Sequence, residues 1–320
     1  MKQLLYLSAQ DICGLDLAPA DAREAVVQAF RAYRQDSIRS LPKSSLELGP
    51  GHGFQAMVSA SAPDGVAALK WVAMAPVAAG EAATGINGLI CLNEYGSGMP
   101  IAIMDGNELT LVRTAAMSAA AAAYLAPESP RTLGMIGCGL QAYVHLTAFT
   151  DLFPSLERVL AYSRSMSSAQ KLAGAASAQG LSAQAERSCE TVLAQSDIVV
   201  TMVPGAPGLV PFLDARLLKP HAFVSAVDIG RSWLPESFPA FDLLATDSLA
   251  QSKAPYDVNG RPVAGAHFHT DLAELCSNDP PPRAGRRLFC FRGFAVADLA
   301  LANLALKQAR DRGAGIALPR

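Results

Sequence analysis

The residues of this 320-residue chain that could do chemistry fall into three groups. The first is a cation set in apolar sequence: Lys70, within Ala67-Ala68-Leu69-Lys70-Trp71-Val72. If such a lysine is buried, desolvation lowers its pKa and makes it a proton donor near neutrality. At a strand edge it would only snorkel its ammonium into water. The second is Arg113, which stands just before an alanine-rich run. A fixed guanidinium there can hold a carboxylate through two parallel bonds, or form a structural salt bridge at a domain joint. The third is Gly137-Cys138-Gly139-Leu140-Gln141-Ala142, which follows the apolar run Leu133–Ile136 and leads into a helical pattern reaching Leu152.

That third group has the strand–turn–helix form of a dinucleotide-binding unit. Gly137 permits the tight turn, and Gly139, with Leu140 and Gln141 behind it, lets backbone N–H groups approach a pyrophosphate. Ala142 lets the helix pack close to the sheet, so the phosphate meets a helix N-terminus. The next strand pattern, Arg158 to Tyr162, ends in Ser163 and Arg164, where an NAD-specific domain usually carries an acid for the ribose hydroxyls. A hydroxyl and a guanidinium suit a 2′-phosphate, which favours NADP(H) over NAD(H); alternatively Arg164 is a solvated residue at a strand end. Thr201 and Val203 end the apolar run from Asp197, and Ser225, Ala226 and Val227 end the next strand. Both ends fall on the carboxyl edge, where open α/β sheets bind ligands. Asp228 is either an acid–base group or a satisfied carboxylate capping the loop before Arg231-Ser232-Trp233. His267-Phe268-His269 has no third ligand nearby, so no metal is expected.

Around these residues the chain reads in two styles. A helix from Leu17 to Tyr33, with Asp21 as its cap behind Pro19, precedes short strand patterns at Ser44–Leu48, Phe54–Ser59, Val66–Val72, Leu89–Leu92 and Pro100–Met104. These suggest a mixed or antiparallel sheet. An alanine-rich helix over Thr114–Ala126 follows, and beyond it strands and helices alternate as in a parallel sheet. Residues 277–287, rich in Pro, Gly and Arg, read as a loop, and the last helix runs from Ala295 to Arg310. The length suggests about two domains. A formal net charge of -2 gives no reason for nucleic-acid or anionic-membrane binding. Six scattered cysteines without a C-x-x-C pair fit reduced thiols, and the N-terminus lacks a signal-peptide pattern, so a cytoplasmic protein is expected.

Four stretches in order carry a resemblance: Lys70 on its apolar strand, Leu109-Thr110-x-x-Arg113-Thr114-Ala115-Ala116, Gly137-x-Gly139-x-Gln141-Ala142, and Gly293-Phe294-Ala295-x-x-Asp298. Together they resemble the ornithine cyclodeaminase/mu-crystallin family over nearly the whole chain. The resemblance implies an α/β protein: a Rossmann NAD(P)-binding domain over 117–298 and a mixed α/β substrate and dimerisation domain from 1–116 with 299–320. It also implies a homodimer and a small amino- or imino-acid substrate whose α-carbon exchanges hydride with a nicotinamide. Lys43 stands where the family has a carboxylate-binding arginine, and Thr84, Thr114 and Gln141 fall on cofactor-contacting positions. The family's cyclodeaminases carry Ala-Val-Gly-x-Asp, whose Asp manages the distal amine of ornithine. Aligning Ala226-Val227 puts Gly230 at that place and Asp228 two residues earlier, a shift of about 6.6 Å along a strand. A reductase of a preformed cyclic ketimine, such as pyrroline-2-carboxylate, can dispense with that acid. Ornithine cyclodeaminase, an amino-acid dehydrogenase and a non-catalytic binding protein remain the alternatives.

Overall fold

The computed structural model describes residues 3–49, 52–75, 85–205 and 208–319. The chain divides into two compact units, Met1–Arg113 with Gly293–Arg320, and Thr114–Arg292. The expected boundaries were 116/117 and 298/299, so Gly293 to Asp298 falls with Lys70 and Arg113 instead of with the glycine loop.

The first unit is built on an eight-stranded mixed sheet. Its strands are β1 (Leu4–Leu7), β2 (Ile38–Ser40), β3 (Ser44–Gly49), β4 (His52–Ser61), β5 (Val66–Met74), β6 (Ile86–Glu94), β7 (Pro100–Asp105) and β16 (Ile316–Leu318). They are ordered β16-β1-β7-β6-β5-β4-β2, with β3 also on β4. Only β1 and β7 run parallel. Helices α1 (Ala9–Gly14), α2 (Pro19–Arg34), α8 (Ala295–Arg312) and the start of α3 (Gly106–Leu125) belong to this unit. Pro19 takes the first helical position of α2, where its missing N–H costs nothing. Ala18, not Asp21, is the N-cap, and Asp21 lies in the first turn.

One row across this sheet explains the fate of Lys70. Met57 pairs with Lys70, Lys70 with Ile90, Ile90 with Met104, and Met104 with Leu7. Every member is buried. The period of two in β5 then sends Leu69 and Trp71 to the opposite, exposed face. Lys70 is therefore a central-strand residue and does not snorkel from an edge.

The second unit is a parallel sheet ordered β10-β9-β8-β11-β12-β15-β13-β14. Its strands are β8 (Thr132–Ile136), β9 (Arg158–Tyr162), β10 (Ser182–Ala185), β11 (Ile198–Thr201), β12 (Phe223–Ala226), β13 (Leu243–Thr246), β14 (Thr270–Asp271) and β15 (Arg287–Cys290). Its helices are α4 (Leu140–Leu152), α5 (Met166–Ala178), α6 (Cys189–Gln195), α7 (Leu272–Ser277) and the alanine-rich part of α3. The expected loop over 277–287 ends one residue early: Arg287 opens β15 and is fully buried. Its four residues lie between β12 and β13, where tertiary pairing makes a strand too short to announce itself.

Candidate active site

In the first unit, two helices bring charge to Lys70. The carboxylate of Asp105 accepts from the backbone N–H groups of Asn107 and Glu108 at 2.9 and 3.0 Å and starts α3. Thr110 and Arg113, three residues apart, share one face of that helix. Phe294 packs edge-on against Tyr33, ring centroids 5.1 Å apart, and seats the first turn of α8, which holds Asp298. Gly293 has φ +86°, and a Cβ there would lie 3.2 Å from Arg113 Nη1. Only glycine combines that backbone with that approach.

The result is a buried charge cluster. Lys70 Nζ donates to Thr110 Oγ1 at 2.6 Å and to Asp298 Oδ1 at 3.0 Å. Arg113 Nε stands 3.2 Å from the same Oδ1. Asp298 Oδ2 is buried without a hydrogen-bond partner. Burial pulls the Lys70 ammonium down to about 8; Asp298 opposes that fall and Arg113 adds to it. Two cations thus gather at one buried carboxylate oxygen. Asp298 and Thr110 were not among the expected site residues. A lone acid in the mainly apolar first half of α8, ahead of the charged residues from Lys307 onward, was the available signal for Asp298. Lys43 lies half-buried in the extended link between β2 and β3, and Thr84 lies outside the described residues.

In the second unit, register aligns the strand ends. Tyr162, Ile136, Thr201, Ala226 and Cys290 pair in one row. The segments that follow, with Ser163 and Arg164, Gly137 to Gln141, Val203, and Val227 with Asp228, leave the sheet along that carboxyl edge. Strand order reverses between β8 and β11, the switch point at which such sheets bind nucleotides. Gly137 has φ +92°, and a Cβ there would lie 2.6 Å from Met202 O, while one on Gly139 would meet nothing within 4 Å. Gly139 caps α4 with no side-chain hydrogen bond, and Gln141 Oε1 is buried without a partner. An open glycine at a helix N-terminus with no side-chain cap fits a dinucleotide pyrophosphate, whereas the orphaned Gln141 oxygen, an acceptor, can take only a donor such as a hydroxyl. Arg164 is exposed and Ser163 half-buried at the end of β9. Cys138 serves packing: its thiol donates to Tyr162 O at 3.4 Å, and burial pushes it up to about 12.

The remaining candidates are committed internally. Asp228 accepts from Thr201 Oγ1 at 3.0 Å, from Ser232 Oγ at 2.5 Å and from Gly230 N at 3.1 Å. Burial raises its carboxyl to about 6, against those three donors. These bonds tie the carboxylate to its own loop and to Thr201 on β11. Burial lowers His145 to about 4, so the ring is neutral. Its Nδ1 meets the carbonyl of Gln141 at 2.8 Å and must carry the proton, so Nε2 accepts from Ser118 at 3.0 Å. Ser118 in turn accepts from Ser225 at 2.9 Å, which commits the Ser225 hydroxyl proton. Thr114 and Ala226 are buried, and Val227 N donates to Thr201 O at 2.9 Å. His269 Nδ1 accepts from Leu244 N at 3.0 Å, and no metal-ligating group occurs among the described residues. All six cysteines are free thiols, and no described helix is long and apolar enough to cross a membrane.

The model of the ornithine cyclodeaminase/mu-crystallin family matches residues 4–313. The chain belongs to that family. It is 27% identical to the alanine dehydrogenase of Archaeoglobus fulgidus, over 98% of this chain and 97% of that protein. It is 32% identical to the ketimine reductase mu-crystallin of Rattus norvegicus over 67% of each chain. Among solved structures, an archaeal alanine dehydrogenase dimer with bound NAD superposes with a TM-score of 0.86 at 25% identity, covering 99% of both chains. The expected architecture of a Rossmann-like parallel sheet and a mixed-sheet unit is the family's fold.

Proposed function

We propose that this protein is an NAD(P)H-dependent reductase of a small cyclic ketimine carboxylate such as pyrroline-2-carboxylate. The observation that carries this reading is the state of Asp228: its three hydrogen bonds tie it to its own loop and to Thr201 on β11, so its oxygens are engaged by internal donors in place of a distal amine. The Arg113 guanidinium pairs with the substrate carboxylate, and Lys43 adds charge at the entrance to β3. Gly137, Gly139, Leu140 and Gln141 hold the dinucleotide phosphates, with Thr201, Val203, Ser225, Ala226 and Val227 lining the same strand edge. Thr84 and Thr114 join them on the family resemblance. Bound there, a reduced nicotinamide supplies the hydride for the new C–H bond at the α-carbon. Lys70 supplies the proton for the new N–H bond and regains one from water. A second copy of the chain covers the exposed apolar face formed by Val58, Leu69, Trp71 and Leu89, making a homodimer.

The similarity to an alanine dehydrogenase over nearly the whole chain favours one second reading, reductive amination of a 2-oxo acid. Steady-state rates separate the two. Pyrroline-2-carboxylate should be reduced faster than pyruvate with ammonia, and ornithine with NAD⁺ should release no proline. Faster reduction of pyruvate with ammonia would establish the dehydrogenase, and release of proline and ammonia from ornithine the cyclodeaminase.

The cofactor preference we propose is NADP(H), with NAD(H) as a weaker ligand, because Ser163 and Arg164 replace the ribose-binding acid. Arg164→Ala should cost about 1.5–3 kcal/mol of NADPH affinity, the value of a hydrogen bond to a charged group, and leave NADH affinity unchanged. Fluorescence titration of both cofactors reads this directly. Equal affinities in the unmodified protein would refute it.

A further inference from the structure

We propose that Asp298 and Thr110 are positioning residues that leave Lys70 a single proton to give, in one fixed direction. The inference rests on the reductase reading for its chemistry, although the hold on Lys70 is measurable without any substrate.

An ammonium carries three N–H bonds. One points at Thr110 Oγ1, 2.6 Å away. The Thr110 hydroxyl gives its own proton to the carbonyl of Gly106, one turn back along α3. Its oxygen can therefore only accept from Lys70. The second N–H points at Asp298 Oδ1, 3.0 Å away. Arg113 Nε lies 3.2 Å from the same oxygen as an ion-pair contact, so turning the carboxylate toward another N–H of Lys70 moves it away from that positive charge. The third N–H meets no hydrogen-bond acceptor among the described residues, and it is the one that can reach a substrate nitrogen. Once that proton has left, the two remaining N–H bonds keep their acceptors. The lone pair then occupies the vacated direction, and reprotonation from water restores the starting state along the same line.

The surroundings make this arrangement specific. The charges facing Lys70 are Asp298 from α8 and Arg113 from α3, while β4 and β6 present Met57 and Ile90 beside it. Burial and Arg113 lower the ammonium, and Asp298 supports it, to a balance of about 8. Removing the carboxylate takes away the support and leaves both lowering influences.

The test is carried out on the full chain labelled with ¹³C-lysine, following the Lys70 Cε resonance against pH and assigning it by its loss in Lys70→Met. The unmodified protein should titrate near pH 8. Asp298→Asn should lower the midpoint by about one unit or more, and Asp298→Glu should bring it back toward the native value. Thr110→Val, which removes a neutral acceptor of the charged form, should lower it by a smaller amount and serves if Asp298→Asn does not fold. The basic limb of kcat/KM for ketimine reduction should move to lower pH with the midpoint, since activity disappears as Lys70 loses its proton. An unmoved midpoint in a folded Asp298→Asn or Thr110→Val protein overturns the proposal. Midpoints that move in a protein without ketimine reductase activity would sustain the positioning role and refute the assigned substrate.

Discussion

Lys70→Met should lower kcat for ketimine reduction by about 10²–10⁴-fold, the usual loss when a proton-transfer group is removed, while the protein remains folded. Methionine is suited to the position because the row of Met57, Ile90, Met104 and Leu7 around it is apolar and buried. Asp298 keeps Arg113 as a counter-ion, so the carboxylate is not stranded. Circular dichroism and a thermal melt monitor the fold, and stopped-flow or steady-state absorbance at the nicotinamide band measures the rate. The pH dependence has a definite sign. In the proposed reduction Lys70 donates from its charged form, which loses its proton near 8. Activity of the unmodified enzyme should therefore fall as pH rises through about 8, and residual activity of Lys70→Met should lack that limb. A rate within tenfold of the unmodified enzyme would remove Lys70 from the chemistry.

Arg113→Ala should act first on substrate binding. Truncating one partner of a buried, charged pair typically costs about 2–5 kcal/mol, so KM for the ketimine should rise by roughly 30-fold or more. Arg113→Lys should recover only part of this, since it keeps the charge and loses the two-pronged geometry. The alanine variant should also shift the pH profile, because Arg113 is one of the influences lowering Lys70. Without it the ammonium holds its proton longer, and the basic limb should move to higher pH, opposite to the shift expected for Asp298→Asn. Unchanged KM in Arg113→Ala would mean that the guanidinium is only structural, the alternative its position at the unit boundary allowed.

Much of this arrangement was legible in the residues. Gly137 announced itself because a turn at φ +92° packed against Met202 O leaves few other choices. Lys70 stood out as a charge on an apolar strand, and Arg113 as a guanidinium before an alanine-rich run, although the helix expected from Thr114 begins at Gly106 and Arg113 lies within it. Asp298 was quoted within a motif yet not seen as a site residue. Its partners lie far away in sequence, and no periodicity reports a contact of that span. Asp228 carried two open readings because its neighbours Thr201 and Ser232 meet it only once β11 and the loop after β12 are in place. The short strand β15 was hidden for a related reason: four residues between two strands owe their conformation to their neighbours more than to their own propensity. The Asp21 cap failed because Pro19 already fixes the first turn of α2.

The ion pair between Lys70 and Asp298 joins residues 228 positions apart. The unit that contains it begins at the N-terminus and finishes only with Gly293–Arg320. During synthesis, which proceeds at about 5–20 residues per second, the strands around Lys70 emerge early and wait for α8. Until Asp298 arrives, closing the sheet would bury the Lys70 ammonium without its carboxylate partner, which is strongly unfavourable. The unit Thr114–Arg292 is continuous in sequence and carries no such delay. The nascent chain is therefore expected to fold from its middle outward, with the chemistry of the Lys70 cluster assembled last.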